Sequence, residues 1–385
     1  WLLEFGALER PGPANILRLR NAVGTPEANL LLEIVEARRQ ARPKFQRAGE
    51  LFFTRKSAEQ ATDERIAAWK ATRFRGRTNV VDLGCGAGGD LLGLATELPA
   101  VGVECDPTLA HFAATNARIL TRDATVQMLS AETIELQSFA AWHCDPDRRS
   151  EGRRTSRIEF STPDLATLER WRTLQPQAAI KLAPSAELPE NWDSAEREWI
   201  ASRGECRQQV AWFGGLTDRP GWKTATVVDA VGGVATFSAP SHADSTARVD
   251  MLSAPAPLLF EPSPAVIAAR LCRALSHACE LHFATPDGHW LTGHHDPRCG
   301  LLQGFAVLER MPFDRKRVAA ALKQHGAGIV EVKTRSQGLD PAKLQRELTG
   351  AGAAPLSLII FRNGSGDRGS LQAVIASRIS GRISG

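Results

Sequence analysis

The spacing of apolar residues changes twice along this chain, and each change predicts a different kind of structure. From Pro26 to Glu50 (PEANLLLEIVEARRQARPKFQRAGE) apolar positions recur at helical spacing among many charges, which predicts helices, with Pro43 ending or kinking one of them. A further helix is predicted over Ser57–Arg73, with Ser57 as its cap and Glu59 and Gln60 in the first turn. The pattern then shortens to compact apolar runs. Asn79–Leu83, Ala100–Glu104, Thr125–Leu129, a run ending at Cys144, and Ala178–Leu182 read as strands. Helices are predicted near Gly89–Thr96 and over Thr108–Leu120. Strands alternating with helices predict an α/β fold with a doubly wound, mainly parallel sheet.

After Leu182 the rhythm changes again. Glu198–Ser202, Gln208–Phe213, Thr224–Val228 and Val234–Phe237 are strand-like and separated by tight turns, which predicts an antiparallel edge. SAPSHADST, Ser238–Thr246, reads as a linker, followed by an amphipathic helix over Pro264–His277. The last stretch predicts a compact α/β unit: strand Phe305–Glu309, helix Arg315–His325, strand Ile329–Lys333, helix Pro341–Thr349, then strands Pro355–Phe361 and Leu371–Ala376.

Composition narrows the class without naming a function. With 385 residues, 43% of them apolar and 23% charged, the chain is an ordinary globular sequence long enough for two or three domains. A net charge of +4 is too small alone to argue for nucleic acid, but its distribution is uneven. Residues 310–385 hold 13 Lys or Arg against 5 Asp or Glu, a surplus of eight, so the remainder is slightly acidic. Seven scattered cysteines form no C-x-x-C pair, which points to a reducing, cytoplasmic setting. No apolar run is long enough for a bilayer and the start carries no signal-peptide pattern, so no membrane partner is expected. The loop GHWLTGHHDPRCG (Gly288–Gly300) offers several metal-ligating residue types. Adjacent histidines diverge and no second ligand pair follows, so no metal is expected there.

The chemistry starts at VVDLGCGAGGDLLGLA (Val80–Ala95), a strand, a glycine turn and a helix. Gly84, Gly86 and Gly89 satisfy G-x-G-x-x-G, which nominally serves a dinucleotide. Asp82, two residues ahead, argues against that, because a carboxylate is unwelcome beside a pyrophosphate at a helix N-terminus. S-adenosylmethionine carries an ammonium and a sulfonium and no phosphate, so there Asp82 is an asset. Glu104, 20 positions after Gly84 at the end of the second strand, suits a pair of ribose hydroxyls. Glu132, after the third strand, is a further contact near the adenine amine. Cys85 lies in the turn itself and is grouped with the cofactor residues, its small side chain suiting a tight turn better than a nucleophile's role.

The fourth strand ends in AAWHCDPDRR. Enzymes that methylate exocyclic amines of bases carry a D/N-P-P-aromatic loop at this place, where a carboxylate or amide and a backbone carbonyl accept the amine's protons and aim its lone pair. Asp145 and Pro146 keep the first two positions and are the candidate catalytic residues. Asp147 and Arg148 depart from the pattern, so the stacking aromatic is missing, and the chain has no Tyr. Any base stacking falls to Trp, Phe, His or an Arg plane, although Trp142, Trp171 and Trp212 are most simply core. Arg148, Arg149, Arg153 and Arg154 form a basic loop suited to phosphates.

In this order the motifs resemble a known family, the bacterial class I methyltransferases with a C-terminal THUMP-like domain. The marks are ARPKFQRAGELFFTRKSAEQAT, VVDLGCGAGGDLLGLA, VGVECDP, CDPDRR, AAIKLAPS, EWIASRGECRQQVAWFG, LFEPSPAVIAA and the MPFDRKRV…GIVEVKTR tail. The core also resembles trimethylguanosine synthases, which methylate the N2 amine of guanine in RNA caps. The resemblance implies a Rossmann-like core that binds S-adenosylmethionine, an N-terminal helical region and a tail that presents RNA. It adds Thr62, with Phe53 and Thr54, as residues folded over the cofactor, and Lys181 and Pro184 as a fifth-strand motif, Lys181 being grouped with Arg148 and Arg149 on the substrate side. The expected domains are residues 1–58 (helical), 59–240 (methyltransferase) and 250–380 (THUMP-like). Expected function is transfer of a methyl group to an exocyclic amine in RNA, guanine N2 favoured. Two other readings stay open: a methyltransferase for a protein or small molecule, and an RNA-binding protein whose D-P-D-R loop no longer methylates.

Overall fold

The computed structural model describes residues 1–8, 11–147, 149–150, 153–154, 161–246, 256–336, 338–363 and 370–379. The chain divides into two compact units, one of Trp1–Arg197 with Gln208–Gly221, the other of Glu198–Arg207 with Trp222–Gly385.

The first unit opens with three helices, α1 (Leu2–Ala7), α2 (Pro13–Val23) and α3 (Thr25–Ala41), joined by a small core of Phe5, Leu19, Ala28 and Val35. α3 ends two residues before Pro43, as its spacing predicts. The single helix expected over Ser57–Arg73 is instead two, α4 (Arg55–Gln60) and α5 (Glu64–Ala71). Thr54, not Ser57, is the cap of α4: its Oγ1 accepts the Ser57 N–H at 3.0 Å while the Ser57 Oγ accepts the Thr54 N–H at 2.9 Å. Asp63 caps α5, accepting the Arg65 N–H at 2.9 Å. Between them Lys44 Nζ donates to the carbonyls of Ala58, Glu59 and Ala61, which satisfies the open end of α4. A local pattern could not reveal the break because a distant lysine stabilises it.

Next come β1 (Val80–Leu83), α6 (Gly89–Leu94), β2 (Ala100–Val103), α7 (Pro107–Ile119), β3 (Ala124–Gln127) and β4 (Ala141–Cys144). A two-stranded antiparallel ribbon of β5 (Arg149–Ser150) and β6 (Arg153–Arg154) precedes α8 (Leu165–Leu174) and β7 (Ala178–Leu182). β8 (Glu196–Ser202) and β9 (Glu205–Trp212) follow. The sheet of this unit has the order β9-β7-β4-β1-β2-β3. β7, β4, β1, β2 and β3 are parallel, and β9 joins β7 antiparallel. The chain thus leaves β1 towards β2 and β3, then crosses back to β4 on the other side. That reversal opens a crevice at the carboxyl ends of β1 and β4, where ligands bind in such sheets. Trp142, Trp171 and Trp212 are buried in the core, so none is available to stack on a base.

The second unit contains a hairpin of β10 (Trp222–Val228) and β11 (Val234–Pro240). The expected linker is occupied by the end of β11 and a short helix, α9 (Ala243–Thr246). After β12 (Leu258–Pro262) the expected helix over Pro264–His277 is split into α10 (Pro264–Ala269) and α11 (Cys272–Ala278) by Arg270 at φ 54°. β13 (His282–Phe283), β14 (Leu291–Gly293), β15 (Leu302–Pro312), α12 (Arg315–Gln324), β16 (Ala327–Thr334), α13 (Pro341–Leu348), β17 (Ala354–Asn363) and β18 (Ser370–Arg378) complete it. Their sheet has the order β13-β14-β12-β15-β18-β17-β16. Among the described residues no helix is long and apolar enough to cross a membrane.

Candidate active site at the carboxyl ends of the first and fourth strands

The glycine turn is held open by backbone geometry. Gly84 and Gly86 adopt φ of 70° and 57°, a region that other residues enter only with strain. The N–H groups of Gly84 and Cys85 both donate to the Val103 carbonyl, at 2.9 and 3.0 Å, latching the turn to β2. The last glycine of the motif has a packing role. A Cβ on Gly89 would lie 3.0 Å from the Thr62 nitrogen, and one on Gly93 would lie 2.6 Å from the Ala67 Cβ. These two glycines, four apart on α6, give it a bare face against Ala61–Thr62 and α5.

That close approach brings a set of charged side chains into the interior. Asp82 on β1 stands in register with His143 on β4, and its Oδ1 lies 2.7 Å from His143 Nδ1. His143 Nε2 lies 3.2 Å from Lys70 Nζ of α5. An ammonium only donates, so Nε2 accepts and Nδ1 carries the proton given to Asp82. Lys70 Nζ also sits 2.6 Å from Asp90 Oδ1 in the first turn of α6. Asp90 Oδ2 accepts from the Thr62 hydroxyl at 2.7 Å, and that hydroxyl accepts from Lys181 Nζ of β7 at 3.1 Å. Lys181 Nζ finally donates to Asp145 Oδ2 at 2.5 Å.

Burial and pairing act oppositely on the two innermost carboxyls. Burial pushes the Asp82 carboxyl up, with His143 only partly opposing it. Burial works the same way on Asp90, but Lys70, with His143 and Lys181, together more than offset it and hold that carboxyl well below the usual range. Asp82 Oδ2 is buried and has no hydrogen-bond partner among the described residues. A buried carboxylate oxygen without a donor is costly, so this atom is where a ligand's cation or N–H group would gain most.

The other expected residues fall as follows. Glu104 is buried and clasps the turn, its Oε2 accepting the Gly86 N–H and its Oε1 the Asp106 N–H, each at 2.9 Å. Glu132 is exposed in a short 3-10 turn after β3. The Cys85 sulfur faces β2, 2.8 Å from where a Gly102 Cβ would be, and burial pushes its thiol far up. Asp145 is partly exposed just beyond β4 and Pro146 is buried. Asp147 exchanges two 2.9 Å backbone hydrogen bonds with Thr162, and its carboxylate is 3.6 Å from Lys56 Nζ. Phe53 lies in an apolar core with Phe45 and Leu51, and Thr54 is committed to its helix cap. Pro184 is half-buried, just past β7. Arg148 lies outside the described residues, and Arg149, Arg153 and Arg154 are described only as backbone of the ribbon. In the Gly288–Gly300 loop His289 pairs with Asp287 at 3.0 Å. No group of three or more metal-ligating side chains occurs among the described residues.

Lys70, Asp90 and His143 were not legible as site residues. Asp90 reads as an ordinary first-turn acid, and Lys70 as one more cation on a solvated helix. His143 carried a signal, as the one polar side chain of the otherwise apolar AWHC that forms β4.

Comparison with known proteins agrees with this geometry. The whole chain superposes on a crystal structure of a presumed methyltransferase from Porphyromonas gingivalis W83, with a TM-score of 0.76, 18% identity and 98% of both chains covered. Residues 302–378 match the THUMP domain-like family. In fold, then, the chain is similar to that presumed methyltransferase, and its residues 302–378 form the THUMP-like part. In sequence it is similar to an uncharacterized S-adenosylmethionine-dependent methyltransferase of Mycobacterium tuberculosis, found in strains CDC 1551 and H37Rv. That likeness is 29% identity over 329 residues, spanning 84% of this chain and 88% of the relative.

Proposed function

We propose that this chain is an S-adenosylmethionine-dependent methyltransferase that modifies an exocyclic amine in RNA, with guanine N2 the favoured acceptor. The observation that carries the reading is the unpartnered, buried Oδ2 of Asp82 beside a glycine turn at the crevice of the sheet. It suits a cationic ligand without phosphate, and the relatives support the same cofactor. When bound, S-adenosylmethionine supplies a methyl group already activated on a sulfonium sulfur. Asp82 receives the ammonium of its methionine part, the Glu104 carboxylate takes the ribose hydroxyls, and Glu132 approaches the adenine amine.

Asp145 and Pro146 present the acceptor. The Asp145 carboxylate accepts an N–H of the amine and so aims the nitrogen lone pair at the methyl carbon. After transfer the amine nitrogen carries a positive charge and gives up a proton, which the partly exposed carboxylate can receive and pass to water. Lys181 Nζ, 2.5 Å from Asp145 Oδ2, holds that carboxylate in place by a charge-assisted hydrogen bond. The exposed cations Arg315, Lys316 and Arg317 of α12 suit RNA phosphates. The test is transfer of labelled methyl from S-adenosylmethionine to total RNA from cells lacking this protein, followed by nucleoside analysis. Label in N2-methylguanosine is expected. Label in another nucleoside would overturn the guanine assignment, and donor binding without any labelled RNA would overturn the RNA acceptor.

A further inference from the structure

The two carboxylates that the proposed function assigns to the cofactor and the acceptor are ends of one polar chain. It runs Asp82, His143, Lys70, Asp90, Thr62, Lys181, Asp145, with successive contacts of 2.7, 3.2, 2.6, 2.7, 3.1 and 2.5 Å. Every member except Asp145 is at least nine-tenths buried. Five elements contribute, β1, β4, α5, α6 and β7, together with the turn before α5.

The direction of each contact is fixed by donor inventory. Lys181 can only donate to Thr62, so the single hydroxyl proton of Thr62 must go to Asp90. Lys70 can only donate, which compels His143 to accept at Nε2 and to donate at Nδ1 to Asp82. No side chain in the series can reverse its hydrogen bond without leaving a neighbour unsatisfied in a dry interior. The charges also do not balance: three carboxylates face two ammonium groups, and Asp82, with a free oxygen, carries the unmatched charge. Ion pairs that merely pinned α5 and α6 to the sheet would need no such continuity.

We infer that Lys70, Asp90, His143 and Thr62 are positioning residues that couple Asp82 to Asp145, so that occupation of the cofactor site sets the carboxylate that receives the acceptor. This rests on the methyltransferase reading above. When a cation meets Asp82, the demand on His143 falls, Lys70 settles towards Asp90, and Thr62 and Lys181 hold Asp145 in one orientation. Acceptor capture then follows donor binding.

Calorimetric titration of S-adenosylmethionine into the full chain tests the coupling without any acceptor. The four proteins are wild type, Thr62→Val, Asp145→Asn and the double variant. Thr62→Val keeps shape and removes the one hydroxyl that joins the two halves, and Thr62→Ala serves if valine is not accommodated. The coupling predicts that Asp145→Asn changes donor affinity by one factor in the wild-type background and by another, about threefold or more different, in the Thr62→Val background. Thr62→Ser, which restores the hydroxyl, should restore the wild-type factor. Factors agreeing within about twofold in both backgrounds would overturn the coupling and leave the methyltransferase reading intact. Failure of the wild-type chain to bind S-adenosylmethionine would overturn both.

Discussion

The crevice at β1 and β4 and the sheet of residues 302–378 are built on opposite plans. Around the crevice, Thr62, Lys70, Asp82, Asp90, Glu104, His143 and Lys181 are all buried. Among the described residues of 302–378, Ser357 is the only buried polar side chain, set in a core that includes Val318, Val330, Leu358, Ile360 and Ile375. Arg315, Lys316 and Arg317 lie exposed on α12. Burying an ion costs several kcal/mol unless it is well paired, and apolar side chains would fill the same space more cheaply. A fold does not need what the crevice contains, so the chemistry of the first region is interior. Whatever the second region does, it does with its surface.

The largest effect should come from the edge of the interior chain. Asp145→Ala should lower turnover by about 100-fold or more while changing donor affinity by only a few-fold. Equal losses in both would remove the acceptor role. Next is Asp82→Ala, which deletes the unmatched carboxylate and should weaken S-adenosylmethionine binding about 10- to 100-fold, read by calorimetry.

The same carboxylate gives a pH signature. Burial raises the Asp82 carboxyl, with His143 and Lys70 opposing from β4 and α5 and Asp90 adding to the rise. A cationic ligand pairs with the ionised form, so donor affinity should fall as pH drops through that raised pKa and be constant above it. Asp82→Ala should remove the drop in that window. Asp90 predicts a loss in the same direction for stability but in a lower window: its carboxyl is held low, so its contribution is present above the ordinary carboxylate range and lost only in strong acid. Asp90→Asn should flatten the acid limb of a denaturation profile.

A smaller effect is expected from packing. Gly93→Ala places a methyl 2.6 Å from the Ala67 Cβ and should destabilise the first unit by about 1–3 kcal/mol in denaturant unfolding. It should also loosen Lys70 from Asp90, lowering donor affinity with it. The smallest change in stability, within about 0.5 kcal/mol, is expected for alanine at Arg315, Lys316 or Arg317. If these face RNA, each should reduce the salt slope of RNA binding by about one. A loss of stability there would contradict the surface reading of the second region.

Much of this was legible in the sequence where one residue type at one position meets a local demand. The glycine turn, Asp82 and Asp145 were read from motif spacing, Lys181 from the family resemblance, and the mainly parallel sheet from the alternation of runs. The tail helices α12 and α13 fall close to their expected spans. Features that depend on distant partners were not legible. The break at Ala61–Asp63 is stabilised by Lys44, and α10 and α11 part at a single left-handed arginine. The short α1 and α2 gain their order from packing with α3, which a window of sequence does not contain. Lys70 belongs in this group, since only the bare face of Gly89 and Gly93 lets it reach Asp90.

The claim on which the rest depends is that the crevice selects a cation without phosphate. Side-by-side titration of the full chain with S-adenosylmethionine and with oxidised nicotinamide adenine dinucleotide tests it directly. S-adenosylmethionine should bind at one site per chain, weakened by Asp82→Ala, and the dinucleotide should show no saturable binding. Saturable dinucleotide binding, tightened by removing the Asp82 carboxylate, would contradict the account.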